Sequence, residues 1–331
     1  MKGDTRPALL IAIDTEGDNQ WDREARRHQT FANTRVLERL HDFFAERRVR
    51  PTYLVTYPVA RDRDSAAALR RIVARGDAEV GAHHHAWETP PCEPADIDRH
   101  PYALSLSLAQ FDAQLSALTR ALADTVGEAP TSYRSGRFGF AAEHVSSLEQ
   151  HGYRIDSSVM PLFYETHKGG PDFVGAPLAP YFLSYDSAIR PGTSNVLELP
   201  VSSALNRRVP GWMEALYARA PWPYTTKRVL RLSGLATVRS LRPSYTSAED
   251  MKALARSLVS RRVPILNLLF HSSEVIVGGS PYNKTAGDLT AFYERLSQFI
   301  AVAIDELGAV PMTFREFGSQ VGATTPPVAV G

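Results

Sequence analysis

The sequence predicts an α/β fold built on a mostly parallel sheet. Three observations carry this. Short apolar runs of strand length alternate with longer segments of helical spacing along most of the chain. Two of the runs, "ALLIAID" (8–14) and "VPILNLLF" (263–270), are nearly continuous, as in strands buried on both faces. Acids, histidines and an arginine stand at the ends of five of the strand segments, where parallel α/β folds put their sites.

The elements follow in order. The run 8–14 ends in an acid and is the first strand. "NTRVLERLHDFFAERR" (33–48) puts Val36, Leu37, Leu40, Phe43 and Phe44 on one helical face, with Asn33 as its cap. "RPTYLVTYP" (50–58) reads as a second strand, and "SAAALRRIVARG" (65–76) as a helix closed by Gly76. "AEVGAH" (78–83) is a short third strand. "SLAQFDAQLSALTRALADTVG" (107–127) is a long helix with a terminal glycine. "TSYRSG" and "YRID" are short strands with a helix around 141–150 between them. After the strand at 263–270 come a long helix (286–308) and a last strand, "VPMTF" (310–314). The stretch 160–250 breaks the rhythm with prolines, glycines and aromatics, and 211–235 reads as inserted helices and loops. The expected organisation is one domain over 1–331, with an insertion at about 160–250 and a frayed tail at 322–331.

Composition narrows the class. The chain has 331 residues, 44% of them hydrophobic and 22% charged, a soluble globular balance. A net charge of +1 gives no global field toward nucleic acid. One cysteine, Cys92, cannot form an internal disulfide, which fits a reducing compartment. The start, "MKGDTRPALLIAID", lacks the features of a signal peptide, and no stretch reaches the ~20 apolar residues of a membrane span. The expected location is cytoplasmic.

The strand ends carry the chemistry. "DTEGD" (14–18) follows the first strand, "HHH" (83–85) the third, "RSGR" (134–137) and "DSS" (156–158) the next two, and "HSSE" (271–274) the strand at 263–270. In extended backbone Asp14, Glu16 and Asp18 project to one side and Thr15 to the other. Crowded carboxylates favour a cation, although a solvated acidic turn reads the same in isolation. Likewise His83 and His85 face one way and His84 the other. An H-x-H pair with a carboxylate suits zinc or another first-row divalent ion. Three protein ligands leave room for water, so the site would be catalytic. Hydrolysis also needs a general base and a general acid, and a second carboxylate and His271 are available. Arg134 can hold the basic carboxylate, and Asp156 can orient His271.

These five segments, in this order, resemble the polysaccharide deacetylase family, carbohydrate esterase family 4. The acidic pair ending strand one matches "AIDTE". The histidine motif matches "EVGAHHHAW", and an arginine followed by a glycine five residues on matches "RSGRFG". The aspartate motif matches "GYRIDSS", and the strand-ending histidine matches "NLLFHSSE". The resemblance covers about positions 8–160 and 195–315. It implies a distorted (β/α)7 barrel and a metal-dependent hydrolase, usually with zinc, that removes acetyl groups from sugar polymers. Asp14 matches the base. Thr15 holds the slot of the family's second aspartate, the metal ligand, so Glu16 takes over ligation or Asp14 binds the metal itself. His83 matches the first histidine ligand. The second should fall at Trp87, which leaves His85 as the second ligand. "HHHAWETPP" looks like a divergent branch, H-x-H-x-W-x-T-P-P, associated with surface-polysaccharide biosynthesis.

The roles expected are therefore Asp14 as base, His271 as acid, Arg134 and Asp156 as positioning groups, and Glu16, His83 and His85 as metal ligands. The substrate expected of a cytoplasmic member is an N-acetylated glycan or a nucleotide- or lipid-linked precursor. Lys227, Arg228, Arg231, Arg239 and Arg242 within 221–244 suit a membrane surface or a diphosphate, or equally a solvated basic helix. Trp87 or Trp212 is available to stack on a sugar ring. The alternatives are a hydrolase of a small non-sugar amide and an inactive glycan-binding barrel.

Overall fold

The structure is a computed structural model that describes residues 6–206, 209–219 and 237–322. Lys227, Arg228 and Arg231 lie outside the described residues, as does the expected tail beyond Gly322.

The described strands are β1 (Ala8–Thr15), β2 (Thr52–Val55), β3 (Glu79–His84), β4 (Ser132–Ser135), β5 (Ile155–Asp156), β6 (Tyr181–Phe182), β7 (Leu197–Glu198), β8 (Ser203–Leu205), β9 (Val238–Ser240), β10 (Ile265–His271) and β11 (Val310–Met312). The main sheet runs β10-β1-β2-β3-β4-β5-β7-β6, parallel except for the β6–β7 pair. β1 is its axis. One side pairs with β10 along its length, from Ala8 with Ile265 to Asp14 with His271. The other side is shared: β11 pairs with Ala8–Leu10, and β2 with Ala12–Thr15. Leu9 to Ile13 and Ile265 to Phe270 are buried, as strands covered on both faces require.

The sheet curls until its far side meets β10. Asn267, the one polar residue inside the apolar β10 run, makes the join. Its Nδ2 donates to Ser157 Oγ at 3.0 Å and to the Leu199 carbonyl at 2.9 Å. Its backbone exchanges bonds with Ser202, at 3.1 Å to its carbonyl and 2.9 Å from its N–H. The result is a distorted α/β barrel closed partly by side chains.

Helices clad the outside. The helix Leu108–Val126 starts at a Ser107–Gln110 capping box and stops where Gly127 turns left-handed at φ 85°. The expected strand at 50–58 is cut short because Thr56 begins a helix, Tyr57–Arg61, with proline in its first turn. The helix at 286–308 is α-helical over Ala286–Ala301 and ends in a π-turn, Val302–Glu306. A helix at Ala248–Ser260 was not anticipated, although Met251, Leu254, Ala255 and Leu258 form one buried stripe. The irregular stretch after β5 holds β6 to β9 and the helix Gly211–Arg219. Among the described residues no helix is long and apolar enough to cross a membrane.

Candidate active site

Register makes the first neighbours. Asp14 is level with His271 across β1–β10, and His83 is level with Arg134 across β3–β4. Side-chain alternation does the rest, and it persists one residue past each strand. Asp14 and Glu16 face a cleft of about 370 Å³, with His83, His85 and His271 in the same wall. Thr15 points away, and its hydroxyl donates to the Ile13 carbonyl at 3.0 Å. Asp18 has turned out of the cluster: it accepts from Thr30, from the Ala32 and Asn33 amides and from Asn33 Nδ2, and so braces the loop after β1.

The three consecutive histidines divide as alternation requires. His83 Nδ1 bonds the Arg134 carbonyl at 3.2 Å, which makes Nδ1 the protonated nitrogen and leaves the Nε2 lone pair toward the acids. That Nε2 is 3.9 Å from Asp14 Oδ2 and 3.8 Å from Glu16 Oε2. His85 Nε2 is 3.0 Å from Glu16 Oε2, while its Nδ1 is buried without a hydrogen-bond partner. His84 lies on the opposite face, where Nε2 meets Gln114 Oε1 at 2.7 Å and Nδ1 meets the Tyr133 hydroxyl at 3.2 Å. Gly136 leaves room for the His85 ring: a Cβ there would lie 2.1 Å from Nδ1.

Arg134, fully buried, spends every nitrogen. Nη1 donates to Asp14 Oδ1 at 2.7 Å, Nε to the Ser157 carbonyl at 2.7 Å and Nη2 to Ser157 Oγ at 2.8 Å. Asp14 therefore keeps one oxygen tied and turns the other, Oδ2, to the cleft. His271 Nε2 lies 3.9 Å from that Oδ2 and 4.0 Å from Glu16 Oε1.

Asp156 is a correction. It does not orient His271; Glu274 does, accepting from His271 Nδ1 at 2.7 Å and from its backbone N–H at 3.0 Å. Asp156 sits across β5–β7 from Glu198, fully buried, and accepts from Ser158 Oγ at 2.5 Å. The aromatic expectations change too. Trp87 is only 6% exposed, packed 4.1 Å from the His85 ring and beneath the Arg137 guanidinium, so it supports the histidine. Trp212 is 68% exposed on the helix Gly211–Arg219 and does not line the cleft. Trp87 and Trp21 both line the cleft, and Trp21 stands edge-on to His271 at 4.8 Å.

Electrostatics separates the two acids of β1. Burial pushes Asp14 upward, but Arg134, with His83 and His271, outweighs it and holds the carboxyl at about 2. Glu16 has no such anchor, and burial raises it. Burial lowers His83 to about 4 and His85 well below the usual range, so both rings are neutral at physiological pH. His271 feels the same burial, yet Glu16, Glu274 and Asp14 together raise it.

The donor set fits a divalent ion. Glu16, His83 and His85 each offer a ligand atom, and these lie within 4.8 Å of one another in a buried pocket. Two neutral imidazoles, one oriented through its far nitrogen, and one carboxylate make a first-row metal set. Asp14 lies outside that trio, with Oδ1 held by Arg134 and Oδ2 3.9 Å from His83 Nε2.

Glu274, Trp21 and Arg137 are the site residues the sequence reading missed. The H-x-x-E spacing at 271–274 was the available signal for the first.

The sequence matches no protein-family model, and comparison with curated proteins also finds no match. Solved structures are similar. A protein from Mycobacterium smegmatis, provisionally named a polysaccharide deacetylase, superposes with a TM-score of 0.56 at 15% identity, covering 100% of this chain and 96% of that one. A protein from Parabacteroides distasonis, provisionally named a glycoside hydrolase/deacetylase, gives 0.59 at 14% identity, covering 96% and 72%. Together with the order of the strand-end segments, these likenesses show that the chain has the polysaccharide-deacetylase fold.

Proposed function

We propose that the protein is a metal-dependent deacetylase that removes N-acetyl groups from a glycan or glycan precursor. The observation that carries this reading is the convergence of one trio and two pairs at one cleft: Glu16 with the two neutral histidines, Asp14 with Arg134, and His271 with Glu274. Glu16, His83 and His85 would hold the ion, zinc foremost. Bound there, it would polarise an acyl carbonyl and acidify a water molecule.

The chain's own groups divide the proton traffic. Asp14 stays ionised because of Arg134, and its free Oδ2 takes the proton of the attacking water. The acids around His271 favour its imidazolium form, which carries a proton on each nitrogen: Glu274 holds Nδ1–H, and Nε2–H faces the cleft and is delivered to the departing nitrogen. Trp21 shields His271 on one side. The substrate we infer is an N-acetylated sugar, polymeric or precursor-linked; a cytoplasmic setting and contact with a membrane surface belong to the same proposal.

The test pairs metal content with acetate release. The purified protein should carry about one divalent ion per chain, and acetate release from N-acetylated sugars should vanish on chelation and return with zinc. His83→Ala and His85→Ala should lose the ion. Undiminished metal content in both variants would overturn the assignment, and acetate release from simple amides but not from sugars would move the substrate to the small-amide class.

A further inference from the structure

The cleft holds more positive charge than its carboxylates use. Glu165 pairs with Lys168 at 2.8 Å, Asp14 with Arg134, and Glu274 with His271 and Ser244. Glu16 belongs to the metal set. Two arginines in the lining remain. Among the described residues neither Arg137 nor Arg242 has a carboxylate at ion-pair distance or a side-chain hydrogen bond.

Both are aimed rather than loose. The Arg137 guanidinium lies 4.8 Å above the Trp87 ring, and that of Arg242 lies 4.1 Å from the Tyr245 ring. Stacking on an aromatic fixes the plane of a guanidinium and leaves its N–H edge open, the geometry that grips a carboxylate or phosphate by two bonds. Arg242 Nε is buried and unpartnered. Arg137 sits in strained backbone: it and Phe138 have φ of 52° and 59°. Two successive non-glycine residues in the left-handed region cost free energy that the fold tolerates here, and such strain gathers at ligand sites. Arg239 offers a contrast from the same basic stretch, because it is neutralised by Asp250 at 2.7 Å.

We propose that the cleft selects an anionic acylated sugar, with Arg137 and Arg242 binding a carboxylate or phosphate that the substrate carries besides its acyl group. The proposal deepens the deacetylase reading and rests on it for the identity of the sugar. A neutral glycan would leave two guanidinium edges in the cleft without partners. A uronic-acid carboxylate on the ring and a phosphate ester share the chemistry that fills them.

The experiment uses the full, zinc-loaded chain and measures binding by calorimetry. The probes are N-acetylglucosamine, its 1-phosphate, and N-acetylglucosaminuronic acid. One charged probe should bind about tenfold or more tightly than the neutral sugar, the scale of one charge-assisted hydrogen bond. Which one does so separates phosphate from carboxylate. In Arg137→Gln and Arg242→Gln the charged-to-neutral ratio should fall, and in the double variant it should approach one. Should the double variant fail to fold, the two single variants carry the test. Equal binding of charged and neutral probes overturns the proposal. So does a preference that survives both substitutions, since the ion alone would then account for it. Acetate release from the same probes is scored separately: a charge preference without release removes the deacetylase reading and leaves anion binding standing, whereas release without preference does the reverse.

Discussion

Two pairs of buried carboxylates stand at strand ends in the same sheet, and they have opposite fates. Asp14 and Glu16 end β1 facing the cleft, among Arg134, His83, His85 and His271. Asp156 and Glu198 lie level on β5 and β7, both wholly buried. Each of the second pair satisfies one oxygen, Asp156 from Ser158 Oγ and Glu198 from the Val159 amide at 3.1 Å. Their remaining oxygens, Asp156 Oδ2 and Glu198 Oε2, are buried without a hydrogen-bond partner, and a proton shared between the two acids would satisfy both. Burial raises both acids, and the charge of Asp156 pushes Glu198 higher still. Arg134 stands between the pairs, bonded to Asp14 and acting on the other two only through its field. An acid at a strand end is thus a site residue only where the fold also supplies it with a cation and an opening.

Breaking that division at its centre should cost most. Arg134→Met strands Asp14 as a buried, unpaired acid, and the expected loss is about 3–5 kcal/mol of stability, read by urea unfolding, together with loss of acetate release. If stability is kept, the ion pair is not what sets the two pairs apart. The next test compares the partners of His271. His271→Ala should cut kcat by about 10²–10⁴, the usual reach of a positioned acid, and Glu274→Gln should lose part of that. Asp156→Asn should leave kcat near its original value. A large kcat loss in folded Asp156→Asn would return that acid to the site. The smallest effect concerns the second pair alone. The Glu198 carboxyl is raised in the folded protein above its ordinary 4.5, so its contribution is present below that value and is lost as pH rises. Glu198→Gln keeps a hydrogen to share with Asp156 and carries no titrating proton. Its stability relative to the parent should therefore grow as pH increases from 5 to 9. A pH-independent difference in thermal midpoint would mean that the pair holds no shared proton.

What the sequence made legible follows the same line. Backbone alternation is local, so the division of the histidines and the exclusion of Thr15 could be read from spacing alone. The strand-end segments were visible because long apolar runs precede two of them. The partner of His271 was not visible in the same way. Asp156 and Glu274 are both acids near strand ends, and only the 3-10 turn Ser272–Val275 brings Glu274 back under the ring. β5 to β7 are two residues each, too short to show a period. Asn267 looked like a blemish in an apolar strand, because the groups it joins lie more than sixty residues away in sequence. Trp21 reaches His271 only through the folding of the loop after β1.

His84 bears on how any mutational survey of this protein would be interpreted. Its ring ties β3 to Gln114, whose amide group in turn donates to the Ala86 and Pro91 carbonyls. Removing it would unfasten the segment that carries His85 and Trp87. Scored by activity, an alanine scan would report three indispensable histidines and invite a three-imidazole centre. Scored by moles of ion per mole of chain, the same scan should separate two donors from one rivet, and only the second assay counts ligands.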